Sequence, residues 1–210
     1  MPKSQVRRLP TARSRRRREE LLVAARQVFE AQGYFDTKVA DIVRVADASH
    51  GTFYTYFDSK DDALKALVAE LVDDLYAASV KPIGARQTPF LTLQATIRQF
   101  MHAYRDRAAL LRILEQATSV SEDFLAVRLE IRDRFAKNLA AVLRARQARH
   151  PDPDGLDPKV AAYVLGGMAE DFARGRYVLG QRLSEEKGIA TLSVIWARAI
   201  GVNTGASGNS

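Results

Sequence analysis

Residues 39–60 read VADIVRVADASHGTFYTYFDSK, and the rest of the chain is organised around them. Val39, Ile42, Val43 and Ala46 keep the i, i+3, i+4, i+7 spacing of one short helix. Asp47-Ala48-Ser49 then interrupts it: Asp tolerates a left-handed turn conformation, and Ser49 is a good N-cap for a second short helix. In that second helix Phe53 and Phe57, four apart, can face inward, while His50, Thr52, Tyr54, Thr55 and Tyr56 must largely face outward or sideways. A short helix showing imidazole, hydroxyl and phenol groups suits the base edges and phosphates of a DNA major groove.

Working outward, the run DIVRVADASHGTFYTYFDSKDDAL closely resembles the helix-turn-helix signature of the TetR/AcrR family of bacterial transcriptional regulators. With the upstream RREELLVAARQVFEAQGYFDTKVADI, the resemblance covers about residues 17 to 67 in register. Two positions depart from the family pattern: Lys38, where Thr or Ser is usual before the apolar residue, and Asp47, where Gly is frequent. Both leave the fold intact and bear on operator preference. A helical hairpin that only packs a core is the structural alternative.

The charge is concentrated at one end. Of 32 Lys and Arg, eight (Lys3, Arg7, Arg8, Arg13 and Arg15 to Arg18) stand in the first 18 positions without an acid among them, which leaves 24 against the chain's 25 acids beyond. The body is nearly neutral, and residues 1–12 are expected to form a disordered basic arm that follows DNA phosphates or enters a minor groove, a solvated tail being the bland alternative. Arg15 and Arg16 extend that role into the first helix. There is no cysteine, which rules out disulfides and thiolate metal sites. No apolar run approaches a membrane span, and no apolar core of a signal peptide follows the basic start, so a cytoplasmic protein is expected.

The remaining periodicity is helical throughout, predicting an all-α fold of about nine helices. The first helix, Arg13 to Gln32, has Leu21, Leu22, Ala25, Val28, Phe29 and Gln32 on one stripe and stops at Gly33. Thr37 is expected to N-cap the second helix, and Ser59 with Asp62 the fourth, which runs to about Val80. The predicted organisation is arm 1–12, helix-turn-helix domain 13–82, effector-binding and dimerisation domain 83–202, and disordered tail 203–210. Further helices are expected over 89–105, 106–118, 122–149, 158–180 and 185–201, with a Pro- and Asp-rich loop at 150–155.

No phosphate-binding Gly-rich loop, nucleophile elbow or zinc-binding helix motif occurs, so neither an enzyme nor a cofactor is expected. His50, His102 and His150 lie far apart, and His102 with Asp106 makes at most a surface hydrogen bond. A cavity between helices is possible, since bundles place ligand sites among facing side chains. The resemblance implies an effector pocket. Its expected lining is Phe100, Met101, Tyr104, Leu111, Leu114, Phe124, Val127, Ile131, Met168 and Phe172, with Glu115, Gln116 and Asp171 as polar groups. Such a set would accept an apolar or amphipathic effector, such as a lipid, acyl thioester, drug or aromatic metabolite. For each apolar member alone, ordinary core packing is the bland alternative.

The last two helices are apolar and, by the resemblance, pair with their symmetry mates; Val164, Met168, Leu192, Ile195, Trp196 and Ala199 are the expected interface. The function these readings imply is a homodimeric, ligand-responsive transcriptional regulator, a repressor released from a palindromic operator. Base edges would be read by His50, Thr52 and Tyr54, with Gly51 close to DNA. Ser49 and Thr55 complete the recognition surface, and Thr37, Lys38, Tyr56 and Lys60 would meet phosphates. The competing reading is an architectural nucleic-acid binder without operator or effector.

Overall fold

The structure, a computed structural model, describes residues 11–80, 88–150 and 155–204. The arm expected over 1–12 lies outside them except for Thr11 and Ala12, as do the predicted boundary at 82, loop residues 151–154 and tail residues 205–210. Among the described residues there are nine α-helices and one π-helical turn, and no strand. The chain gathers into two compact units, Met1–Ala69 and Glu70–Ser210. That division falls inside the fourth helix rather than after it.

In the first unit, α1 (Ala12–Asp36) begins where the Thr11 hydroxyl accepts from Ser14 N. It buries Leu21, Leu22, Ala24, Ala25, Val28 and Phe29, whereas Gln32, assigned to the same stripe, is exposed. The helix breaks at Gly33, whose φ of 79° is strained for any residue with a Cβ. Beyond the break Tyr34 turns inward. α2 (Val39–Val45) buries Ile42 and Val43 and ends in the turn at Asp47, which has φ 45°. This is the left-handed turn expected there, made by Asp where a Gly is frequent. α3 (His50–Tyr56) follows, with the Ser49 hydroxyl accepting from Thr52 N. Phe53 and Phe57 are buried with ring centroids 5.5 Å apart, and they anchor α3 from beneath.

α4 (Lys60–Val80) is N-capped by Ser59, which accepts from Asp62 N, while the Asp62 carboxylate accepts from Asp58 N. The box is thus closed one residue earlier than its usual form.

The second unit contains α5 (Pro89–Arg105), α6 (Ala108–Thr118), α7 (Glu122–Gln147), α8 (Pro158–Ala173) and α9 (Glu185–Ala199). The sequence predicts a helix through residue 180; instead α8 ends at Ala173 and residues Arg174–Val178 form a π-helical turn. Arg112 on α6 donates to Val178 O at 3.3 Å, satisfying a carbonyl of that turn. The core joins Ile97 and Met101 of α5 to Ala162, Leu165 and Ala169 of α8 and Ile189, Leu192 and Trp196 of α9. On α9, Gly188 faces the Phe172 ring so closely that an added Cβ would fall within it.

Candidate DNA-recognition surface and effector cavity

Two regions carry the chemistry. On the first, α3 stands on its two buried phenylalanines and leaves His50, Gly51, Tyr54 and Thr55 exposed, with Thr52 and Tyr56 half-buried. Tyr54 is 54% exposed, an aromatic side chain held at the surface by the helix beneath it. The Ser49 and Thr52 hydroxyls lie 3.0 Å apart, and Thr55 donates to Gly51 O at 2.8 Å. The helix start is therefore organised by its own hydroxyls. Lys38, Arg15 and Arg16 are also exposed, Arg16 in an ion pair with Glu20 at 3.1 Å. That pair, together with Arg17, holds the Glu20 carboxyl below its ordinary range, the Arg17 hydrogen bond contributing most.

Two residues expected to meet phosphates point elsewhere. Thr37 is buried, and its hydroxyl donates to Gly33 O at 2.6 Å. It closes the kink of α1, so Lys38 occupies the N-cap of α2 without a side-chain cap. Lys60 donates its ammonium to Tyr34 O at 2.7 Å and Thr37 O at 2.9 Å, with Phe35 O at 3.4 Å and the Tyr34 ring centroid at 4.6 Å. A cation beside the last carbonyls of a helix complements its negative end. Both corrections have one cause: the kinked exit of α1 leaves carbonyls that need donors.

Arg17 has a role the sequence did not signal within its run of arginines. It donates to Asp47 O at 2.8 Å and to Ala46 O at 3.4 Å, tying α1 to the turn between α2 and α3.

The second region is a cavity of about 720 Å³ in the second unit, within the size range of drug-like ligand sites. Of the expected lining, Phe100, Tyr104, Leu111, Leu114, Glu115 and Ile131 face it. Met101 and Phe124 do not: both are fully buried among core neighbours. Asp171 is exposed, and Phe172 is taken up by Gly188 of α9. Gln116, Val127 and Met168 are half-buried outside the cavity wall.

Apart from Ile131, the sequence did not signal the wall supplied by α7. Arg128, Ile131, Arg132, Phe135, Leu139, Val142, Leu143 and Arg146 all line the cavity. They recur at three and four residues, one helical face that mixes arginines with apolar side chains. Arg128 lies 3.5 Å from Glu115 and 3.7 Å from Glu170, and Glu115 also accepts from Arg174. Tyr104 sits beside this group; burial, then the Glu170 and Glu115 charges, drive its pKa well upward, so it is a neutral hydroxyl. Arg146 donates to Ile200 O at 2.8 Å and Gly201 O at 2.7 Å, capping α9.

The expected interface residues divide. Val164 and Ile195 are exposed at 52% and 42%, and Met168 and Ala199 are half-buried. Leu192 and Trp196 instead pack inside their own chain, Trp196 on the cavity wall. α9 has apolar residues on two faces, and periodicity alone does not say which one is outermost. His102 also pairs differently, with Glu185 of α9 at 3.3 Å rather than with Asp106. Among the described residues no cluster of His, Cys, Asp or Glu is arranged for a metal, and no helix is long and apolar enough to cross a membrane.

The family model described as "Bacterial regulatory proteins, tetR family" matches residues 21–67, the span from α1 into α4. The HTH-type transcriptional regulator EthR of Mycolicibacterium smegmatis is 26% identical over 188 residues, 88% of this chain and 86% of the relative. The uncharacterised HTH-type transcriptional regulator YvdT of Bacillus subtilis (strain 168) is 37% identical over 163 residues, covering 76% of this chain and 82% of that one. Among solved structures, a TetR-family regulator from Syntrophomonas wolfei superposes with a TM-score of 0.74 at 18% identity, covering 90% of this chain and 98% of that one.

Proposed function

Since the chain belongs to the TetR family of bacterial transcriptional regulators, DNA-binding helix-turn-helix proteins rather than enzymes, we propose that it is a cytoplasmic homodimeric repressor, released from a near-palindromic operator by a small effector. The observation that carries this reading is α3: a short helix, seated on Phe53 and Phe57, whose outer face presents His50, Thr52 and Tyr54. These three read base edges in the major groove, with Gly51 allowing close approach. Lys38, Tyr56, Arg15 and Arg16 meet phosphates and, with the basic residues of 1–12, supply salt-dependent affinity. Two half-sites require a two-fold partner. The exposed apolar residues Val160, Val164 and Ile195 on α8 and α9 offer the surface for it.

The effector occupies the cavity of the second unit, and release follows when the liganded dimer favours a half-site separation that no longer matches the operator. Differential affinity for two conformations is sufficient. The test is selection of genomic fragments by the purified protein at about 150 mM salt, where nonspecific phosphate binding is weakened. One enriched near-palindromic site is expected. Featureless enrichment by a folded dimer would replace this reading with an architectural DNA binder.

A further inference from the structure

The cavity wall contains two polar donors that no group among the described residues satisfies. Arg132 projects from α7 over the Tyr163 ring, with its guanidinium carbon 4.3 Å from the centroid. It lies so close to Gly167 that an added Cβ would stand 2.8 Å from Nη2. The guanidinium is therefore held in place, by a stacked ring on one side and a residue without a side chain on the other. Its Nε is buried without a hydrogen-bond partner, and among the described residues it joins no ion pair. The second donor is Trp196 Nε1, buried on the same wall and also without an acceptor.

The surrounding charges sharpen the choice. Glu115 and Glu170 are the acidic residues on the wall, and both are engaged by Arg128, Glu115 also by Arg174. Arg146 gives its donors to backbone carbonyls. The wall therefore has no acid to spare for Arg132, and its local balance is positive. A buried, unpaired donor on a preformed apolar site costs free energy until an acceptor arrives, most of all when the donor is charged.

We propose that the effector is an amphipathic organic carboxylate: its carboxylate accepts from Arg132, its apolar body fills the space between α5 and α7, and a second acceptor oxygen reaches Trp196 Nε1. This rests on the reading of the cavity as the effector site and names the chemical class that site selects. A neutral analogue leaves the guanidinium unmet, and a cationic one adds repulsion.

The test is calorimetric titration of the full-length protein with two matched series. One is decanoate, 1-decanol and decyltrimethylammonium; the other is 1-naphthylacetate, 1-naphthaleneethanol and 1-naphthylethylammonium. A charged hydrogen bond of ordinary strength predicts that the carboxylate leads the alcohol by at least about tenfold in whichever series binds, with the cation last. Arg132→Gln should erase that lead, and Arg132→Lys should retain part of it. The alcohol or the cation binding as well as the acid overturns the proposal, as does the absence of binding in both series. An undiminished lead in a folded Arg132→Gln protein also overturns it. Operator selection is a separate measurement, so a failed regulator reading would show there while the ranking of head groups still stood.

Discussion

Replacing Lys60 by methionine separates a structural cation from a DNA-contacting one. The wild-type ammonium donates at 2.7 Å to Tyr34 O and at 2.9 Å to Thr37 O, with a longer approach to Phe35 O. Methionine preserves much of the apolar stem but removes the charge and the donors, leaving the exit of α1 uncapped. A hydrogen bond to a charged group contributes about 1.5–3 kcal/mol. Two short bonds set the upper bound, and water reaching the vacated carbonyls of this half-buried site brings the net loss to roughly 2 kcal/mol. At about 1.4 kcal/mol per factor of ten, that is about a 30-fold larger opening equilibrium constant for the first unit, and exchange faster by the same factor. Hydrogen exchange followed by mass spectrometry should show it at the amides of α1 and α2, with α9 unchanged. A lysine that neutralises a phosphate would behave in the opposite way on replacement. Exchange would stay the same, and the slope of log K against log salt would flatten by about 0.9 for the one phosphate left unneutralised. Unaltered exchange with a flattened slope would refute the capping role.

Three further outcomes follow from the geometry. Tyr54→Ala should weaken specific DNA binding more than nonspecific binding; equal losses in a competition assay would remove Tyr54 from the base-reading set. Gly188→Ala should force the Phe172 ring aside and cost about 1–3 kcal/mol, lowering the melting temperature by several degrees, and an unchanged melting curve would contradict the packing of α9 on that ring. The Glu186 carboxyl is held below its ordinary 4.5, chiefly by the hydrogen bond from Arg98 on α5. A lowered folded-state pKa gives stability that is complete above about pH 4.5 and is lost as pH falls through the lowered value. Glu186→Gln should therefore flatten the acid limb of a stability profile, and identical acid limbs would show that the pair is inert.

The helix-turn-helix was legible because each of its parts is a local pattern. The spacing of Ile42 and Val43, the tolerance of Asp47 for a positive φ, the Ser49 cap and the Phe53–Phe57 pair are all decided within a few residues. Thr37 and Lys60 were misassigned because their partners are set by tertiary structure. Gly33 could be read as a stop, but not that the chain beyond it would turn Tyr34 inward and present carbonyls to a lysine 23 to 26 residues away. Arg17 was hidden for a different reason. Four consecutive arginines look alike in sequence, and only helical phase, fixed by the burial of Leu21 and Leu22, aims this one at the turn.

The lining of the cavity was partly legible, and α7 explains the rest. Over 26 residues that helix buries only Phe124, Ala140 and Leu143, too few for a helix whose inner face is filled by neighbours. Of its periodic apolar residues, Phe124 packs into the core, whereas Ile131, Phe135 and Leu139 border the cavity. A hydrophobic stripe reports which side of a helix avoids water, and it does not distinguish a packed interior from an apolar hollow. The arginines on that face, at positions 128, 132 and 146, interrupt the stripe, and apolar spacing carries no signal for them. Once Arg128 is matched to carboxylates and Arg146 to the end of α9, the residue left over is Arg132. The interruption in the pattern is therefore the feature that gives an otherwise greasy cavity a chemical preference.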